Sequence, residues 1–345
     1  MIAPAITASR RLAWLLFLAA CRSPAATHPP EPFRVDTFAT AETTPFQRPV
    51  DGVAFPDGRL ALADFQAEQV FLLGVDGTLQ QTLGTPGAGP GELRAPRAVV
   101  LRGDTLAVLN GGNNRVENFI PGRAYVGSRP LPSGVQYREA RLLPGDTTVI
   151  ATGGSDSALA VRQDPSGRVL ARYGQPVVPA VEVWDFGAIR QEILAGRIPV
   201  ELRNTATPIV DPGGDVWLVI HTEGRVERYA PTGELRARLT LPDSEVAPLR
   251  AAFFAANAAE KRPGVLRSYF LAFSGVARDH ALWLLLAAPD SLPAVLLRVD
   301  STGALVERQA VPGAEGARYL VSAEGAGGFY AVHPTEGLVF HLYRP

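Results

Sequence analysis

A chain of 345 residues that is 46% hydrophobic and 19% charged, with 34 glycines and 30 prolines, has the composition of a packed, turn-rich globular protein and not of a disordered one. A formal net charge of -1 offers no attraction to a phosphate backbone, so nucleic acid is not an expected partner. The single cysteine, Cys21, excludes an internal disulfide framework, and length alone leaves one or two domains open.

The chain opens on Arg10-Arg11 and the apolar run LAWLLFLAAC, residues 12–21. A positive start before an apolar run too short to span a bilayer is the layout of an export signal. Leu18-Ala19-Ala20-Cys21 resembles a bacterial lipobox, which implies a lipoprotein signal over residues 1–21 with Cys21 lipidated as the first mature residue. Residues 22–32, RSPAATHPPEP, carry too little apolar surface to order themselves and read as a flexible tether. The expected location is the bacterial cell envelope. The protein would be extracytoplasmic, a monomer held to the membrane by its lipid anchor, on the outer membrane or the periplasmic face.

Beyond the tether one unit recurs. In GPGELRAPRAVVLRGDTLAVLNGGNNRVENF, residues 89–119, a glycine-rich entry leads to a strand, a tight turn, a second strand, a polar turn and a third strand. The turn and second strand return as DGRLALAD (57–64), GDTTVIAT (145–152), GGDVWLVI (213–220), RDHALWLLL (278–286) and GAGGFYAV (325–332), the grammar of a hairpin. Each has a first strand upstream, FLAFSGVA in the fifth copy, and a third strand downstream; five copies add a fourth. The sixth runs out at Pro345, and FRVDTFA, residues 33–39, is a strand that belongs to no other copy.

Four-stranded units at a period near 40–50 residues point to an all-β chain, a six-bladed β-propeller of antiparallel blades over residues 33–345, with residues 33–39 closing the last blade. A β-sandwich does not require the same strand order six times. GAGPGELRAPRAVVLRGDTLAVLNGGNNRVENF resembles an NHL repeat, with its glycine-rich lead, the proline before the first strand and Asn113-Asn114-Arg115-Val116 at the turn into the third. The first copy, FQRPVDGVAFPDGRLALADFQAEQVFLL, is similar; the other four keep only the strand order. NHL-like propellers include binding scaffolds and enzymes, so the site must carry the functional argument.

The anchor turns are unevenly spaced: Gly58 to Asp104 is 46 residues, Asp104 to Asp146 is 42, and Asp146 to Asp215 is 69. The extra chain lies in two insertions, residues 175–204 and 242–268, with short helices expected near Trp184–Leu194 and from Glu245 to Glu260. Both join the last strand of one blade to the first of the next, which puts them on the face where second strands end. That face is the expected site for a protein, peptide or saccharide ligand. Trp184, Asp185 and Arg190 of the first insertion would act with Arg97 and Asn110 beneath, and with His221 and His333. Arg97, Arg138 and Arg318, with Arg267, would form a cationic funnel for carboxylate or phosphate groups.

The alternative is a hydrolase or lyase using a divalent metal held by His221, His333 and Asp64. The NHL-like resemblance extends to amidating lyases, which use more channel histidines than this chain offers, and to lactonase-like propellers, for which Asp51 and Asn110 would be the ligand candidates. The sequence has no G-x-S-x-G, H-E-x-x-H or P-loop motif, and no catalytic residue is assigned.

Overall fold

The computed structural model describes residues 31–344 apart from 124, 132–139, 144–145, 263, 268, 288–291 and 324–327. The export signal, Cys21, all of the tether except Glu31 and Pro32, and Arg138 lie outside the described residues. Residues Pro32–Pro345 form one compact unit. Among the described residues no helix is long and apolar enough to cross a membrane.

Six four-stranded antiparallel sheets follow one another in chain order. Their inner strands are Pro49–Ala54, Pro96–Arg102, Ala140–Leu142, Ala206–Val210, Gly275–Arg278 and Tyr319–Ala323, one for each of blades 1 to 6. The second strands, such as Leu60–Asp64, Val216–Ile220 and Gly328–His333, are buried along their whole length. A strand covered by a neighbouring blade on each face has no solvent side, so its sequence loses the polar alternation. Outer strands keep it: exposed and covered residues alternate along Leu305–Val311.

Blade 6 has only three strands from its own stretch of chain, and Arg34–Ala39 supplies the fourth. It pairs antiparallel with Leu338–Tyr343, Arg34 opposite Tyr343 and Ala39 opposite Val339. This joins the two ends of the propeller and covers the edge of Leu338–Tyr343, so blade 6 ends on an outer strand like the other five. Gly77, in the last turn of blade 1, lies against that strand. Its φ is +78°, and a Cβ there would sit 1.7 Å from the Phe38 carbonyl oxygen, so only glycine fits.

The core is divided into six clusters, each between two adjacent blades. Phe71 and Leu62 of blade 1 pack with Tyr330 and Val332 of blade 6, for example, and Trp283 of blade 5 packs with Phe329 of blade 6. The cluster between blades 4 and 5 is enlarged by two helices, α1 (Phe186–Leu194) and α2 (Asp243–Ala259). α1 buries Ile189 and Ile193, one turn apart, and α2 buries Val246, Leu249 and Phe253 at the same spacing. The helices thus cap the blades with one apolar stripe each.

One expected element shifts. FLAFSGVA reads as the first strand of blade 5, but the strand is Gly275–Arg278, and the aromatic residues before it lie outside the sheet. Ser274 explains the stop: its hydroxyl oxygen accepts the Leu320 N–H at 2.6 Å, which fixes the segment to the inner strand of blade 6.

Candidate functional site

Three cavities open on the face that carries the insertions, and all three touch Phe270. The largest, about 680 Å³, lies under α2 and is lined by Leu249, Ala252, Phe253 and Ala256 together with Arg267 and Arg318. A second, about 360 Å³, is lined by Trp184 and Val200 of the first insertion, Thr152 and Asn204. The third, about 320 Å³, sits over the central channel and is lined by Arg48, Arg97, Arg141, Phe65, Phe273 and Tyr319, besides Phe270 and Val50. Below it the inner strands of all six blades enclose the channel, a space of about 410 Å³, and Arg141 touches both.

The arginines of this mouth share an origin in the fold. Arg48 immediately precedes the inner strand of blade 1, and Arg97 and Arg141 are second in the inner strands of blades 2 and 3. The guanidinium carbons of Arg48 and Arg97 stand 5.3 and 5.0 Å from the centre of the Phe65 ring, within cation–π range of one aromatic ring. Among the described residues no carboxylate lines the mouth. Arg97 Nε is buried without a hydrogen-bond partner among those residues. A guanidinium stacked on a ring keeps its in-plane donors for a carboxylate or phosphate.

On the other side the chain lays down aromatic rings. Phe270 and Phe273 are stacked, centroids 4.7 Å apart at 27°, and Phe273 lies 5.9 Å from Tyr319. His221 closes the row, its ring 4.9 Å from Phe270. In the adjoining large cavity Glu260 is held by Arg262 at 2.8 Å and Arg267 at 3.0 Å. The hydrogen bond from Arg262 holds its carboxyl down at about 2, so it is ionised at neutral pH and already paired.

The polar residues at the ends of the second strands do not meet at this site. Asp64 is fully buried and accepts backbone N–H groups from Gln47 and Arg48, which enter blade 1, and from Gln66 and Ala67 in the following turn. Asn110 accepts the Arg94 N–H at 2.8 Å and donates to the Glu92 carbonyl at 2.8 Å. His221 accepts the Leu271 N–H at Nδ1, 3.1 Å, and lies 3.1 Å from the Thr207 hydroxyl at Nε2. His333 accepts the Glu336 N–H at Nδ1, 3.2 Å. These side chains satisfy the backbone of connecting segments that lie outside the six blades.

In that arrangement the expected metal ligands Asp64, His221 and His333 each accept backbone N–H groups. Among the described residues no group of three or more His, Cys, Asp or Glu side chains is placed to hold an ion. Burial lowers the His221 pKa to about 3, so the imidazole is neutral, but both ring nitrogens are engaged. Asp51 accepts the Val99 N–H at 2.9 Å across blades 1 and 2.

The other anticipated residues divide between structure and site. Asp185 is the N-cap of α1, accepting the Gly187 and Ala188 N–H groups. Arg190 donates to the Glu260 carbonyl at 2.6 Å and ties the two insertions together. Trp184, 44% exposed, lines the second cavity, and Arg97 lines the mouth, with the two cavities sharing only Phe270. Arg267 and Arg318 belong to the large cavity. Arg48, Arg141, Phe65, Phe270, Phe273 and Tyr319 were not anticipated. Aligning the residues that open each inner strand would have found Arg48, Arg141 and Tyr319; a strand reading of FLAFSGVA hid the two phenylalanines.

No protein-family model and no curated protein sequence matches the chain. Solved structures do match in shape. The chain is similar to virginiamycin B lyase from Staphylococcus aureus, 11% identical with a TM-score of 0.54 over 91% of this chain and 100% of that one. It is similar to the calcium-binding protein regucalcin from Agrobacterium tumefaciens, 12% identical, TM-score 0.54, over 90% and 94%. A putative exported protein from Bacteroides fragilis aligns at 10% identity and 0.52 over 91% and 95%. The likeness is one of fold. Propellers of this shape include a lyase and a calcium-binding protein, and shape alone does not choose between them.

Proposed function

We propose that this chain is a lipid-anchored extracytoplasmic propeller that binds a protein, peptide or saccharide ligand carrying an anionic group at the arginine-lined mouth of its insertion-bearing face. The observation that carries the reading is that Arg48, Arg97 and Arg141, from the entries of three successive blades, converge in one cavity lined by no described carboxylate. Concentrating like charge is costly, Arg97 Nε is buried without a hydrogen-bond partner among the described residues, and an anionic ligand relieves both.

The direction of the closing strand supports the anchored geometry. Arg34 begins on the face of the Gly/Asp turns, opposite Tyr343, and the strand runs toward the mouth. The first residue of the closing strand thus lies on the face away from the ligand site.

The alternative, a metal-dependent hydrolase or lyase, suits the fold equally, since one similar structure is a lyase. What weighs against it is the donor set: Asp64, His221 and His333 each hold backbone N–H groups. Thermal melts of the full mature chain against peptides and saccharides, with and without a chelator, test the choice. A ligand that raises the melting point of the wild type but not of Arg97→Ala, whatever the chelator, supports binding; stabilisation that needs a divalent ion supports the enzyme.

A further inference from the structure

The mouth has two chemically different walls. Arg48, Arg97 and Arg141 stand on blades 1 to 3, whereas Phe270 and Phe273 lead into blade 5 and Tyr319 opens blade 6. Phe270 and Phe273 also line the large cavity, whose other wall is Leu249, Ala252, Phe253 and Ala256 of α2. A ligand seated in the mouth therefore meets guanidinium groups on one side, flat rings on the other, and beyond the rings a cavity of mixed lining, apolar along α2 and charged at Glu260, Arg262, Arg267 and Arg318.

We infer that the ligand's recognised element is a carboxylate borne by a flat aromatic group. The inference rests on the mouth being the ligand site, as proposed above. A simple inorganic anion would leave the stacked pair Phe270–Phe273 with nothing to cover, and a neutral aromatic would leave the buried Arg97 Nε without an acceptor. Only a group with both properties satisfies both walls. An offset-stacked ring gains from the quadrupoles of Phe270 and Phe273, while the carboxylate takes paired N–H bonds from Arg97 and its neighbours. The mouth, at about 320 Å³, suits one or two fused rings with their acid, and the cavity under α2 takes whatever the ring is attached to. The same chemistry occurs in a free aryl acid and at the C-terminus of a peptide ending in an aromatic residue.

Isothermal calorimetry on the full mature chain tests this with 2-naphthoate, its neutral amide, N-acetyltryptophan and inorganic phosphate. The expected result is that 2-naphthoate or N-acetyltryptophan binds at least tenfold more tightly than 2-naphthamide and than phosphate. Arg97→Gln should erase the advantage over the amide, and Phe273→Leu the advantage over phosphate, each at an unchanged melting point. Phe270→Leu serves if Phe273→Leu does not fold. Preference for N-acetyltryptophan assigns the site to peptide C-termini, and preference for 2-naphthoate to free acids; both sustain the inference.

Equal binding of 2-naphthoate and 2-naphthamide, or binding indifferent to Arg97 and to both phenylalanines, overturns it. If none of these probes binds while another peptide or a saccharide binds in an Arg97-dependent manner, the inference alone falls. If a ligand binds without regard to Arg97 or Trp184, the proposed binding face falls with it.

Discussion

The guanidinium carbon of Arg97 stands 5.0 Å from the centre of the Phe65 ring, linking the entry of blade 2 to the turn that follows the second strand of blade 1. Arg48 approaches the same ring at 5.3 Å. Side chains from neighbouring blades thus place two cations at the rim of the channel, and the repeat generates the charge of the site by itself. The insertions then break the symmetry, covering one side with α2 and the aromatic segment before blade 5.

Asp64 is expected to matter for stability and not for metal. Asp64→Ala leaves the N–H groups of Gln47, Arg48, Gln66 and Ala67 without their acceptor and should cost about 3 kcal/mol or more in a denaturant titration. A chelator should leave the wild-type melting point where it is. A chelator-dependent melt, with bound metal lost in Asp64→Ala, would restore the metal reading.

His221 supplies a pH dependence whose sign follows from burial. Its folded pKa is about 3, below the ordinary 6.5, so the unfolded chain binds this proton first as pH falls. The stabilisation from the neutral ring is complete above about pH 6.5 and declines as pH falls toward 3. Between pH 7 and pH 4 the wild type should lose about 3 kcal/mol that His221→Gln does not lose. Parallel stability curves for the two proteins would contradict this.

Closure of the ring can be measured at one glycine against another. Gly77→Ala drives a Cβ into the Phe38 carbonyl of the closing strand, whereas at Gly122, in the corresponding turn of blade 2 and at the same φ of +78°, a Cβ meets open space. Both substitutions carry the cost of a left-handed alanine, about 1 kcal/mol, and Gly77→Ala should add about 2 kcal/mol for displacing the strand. Equal losses would show that the seam between the chain ends contributes little.

The six blades were legible because each repeats turn, strand and turn with residues whose local preferences agree with the fold. Leu60–Asp64 and Val216–Ile220 are apolar runs bounded by Gly and Asp. The site was less legible, for two physical reasons. Asp64, Asn110, His221 and His333 carry the residue types of a metal or ligand set, yet a connecting loop needs the same types to satisfy its backbone, and sequence does not distinguish the two uses. Phe270 and Phe273 have strand propensity, and only the bond between Ser274 and Leu320 shows that the sheet starts after them. Arg97 stood out because it lies where an inner strand begins; Arg48 and Arg141 needed the blades superposed.

Anchoring is tested at Cys21. Mass spectrometry of the mature N-terminus should find an acylated cysteine, and Cys21→Ala should move the chain from the membrane to the soluble fraction. An unmodified, soluble wild-type protein would end the proposal of a lipid anchor.

The most direct measurement of the account as a whole compares the two faces of the propeller. With a ligand identified, its affinity should be titrated for Arg97→Ala and Trp184→Ala on one face and for Asp57→Ala and Asp104→Ala in the turns of the other, with the melting point of each variant recorded. Arg97→Ala should bind at least tenfold more weakly and Trp184→Ala should lose less, both at unchanged melting points, while both turn variants bind as the wild type does. Binding that survives Arg97→Ala but is lost when Asp57 or Asp104 is replaced would contradict this.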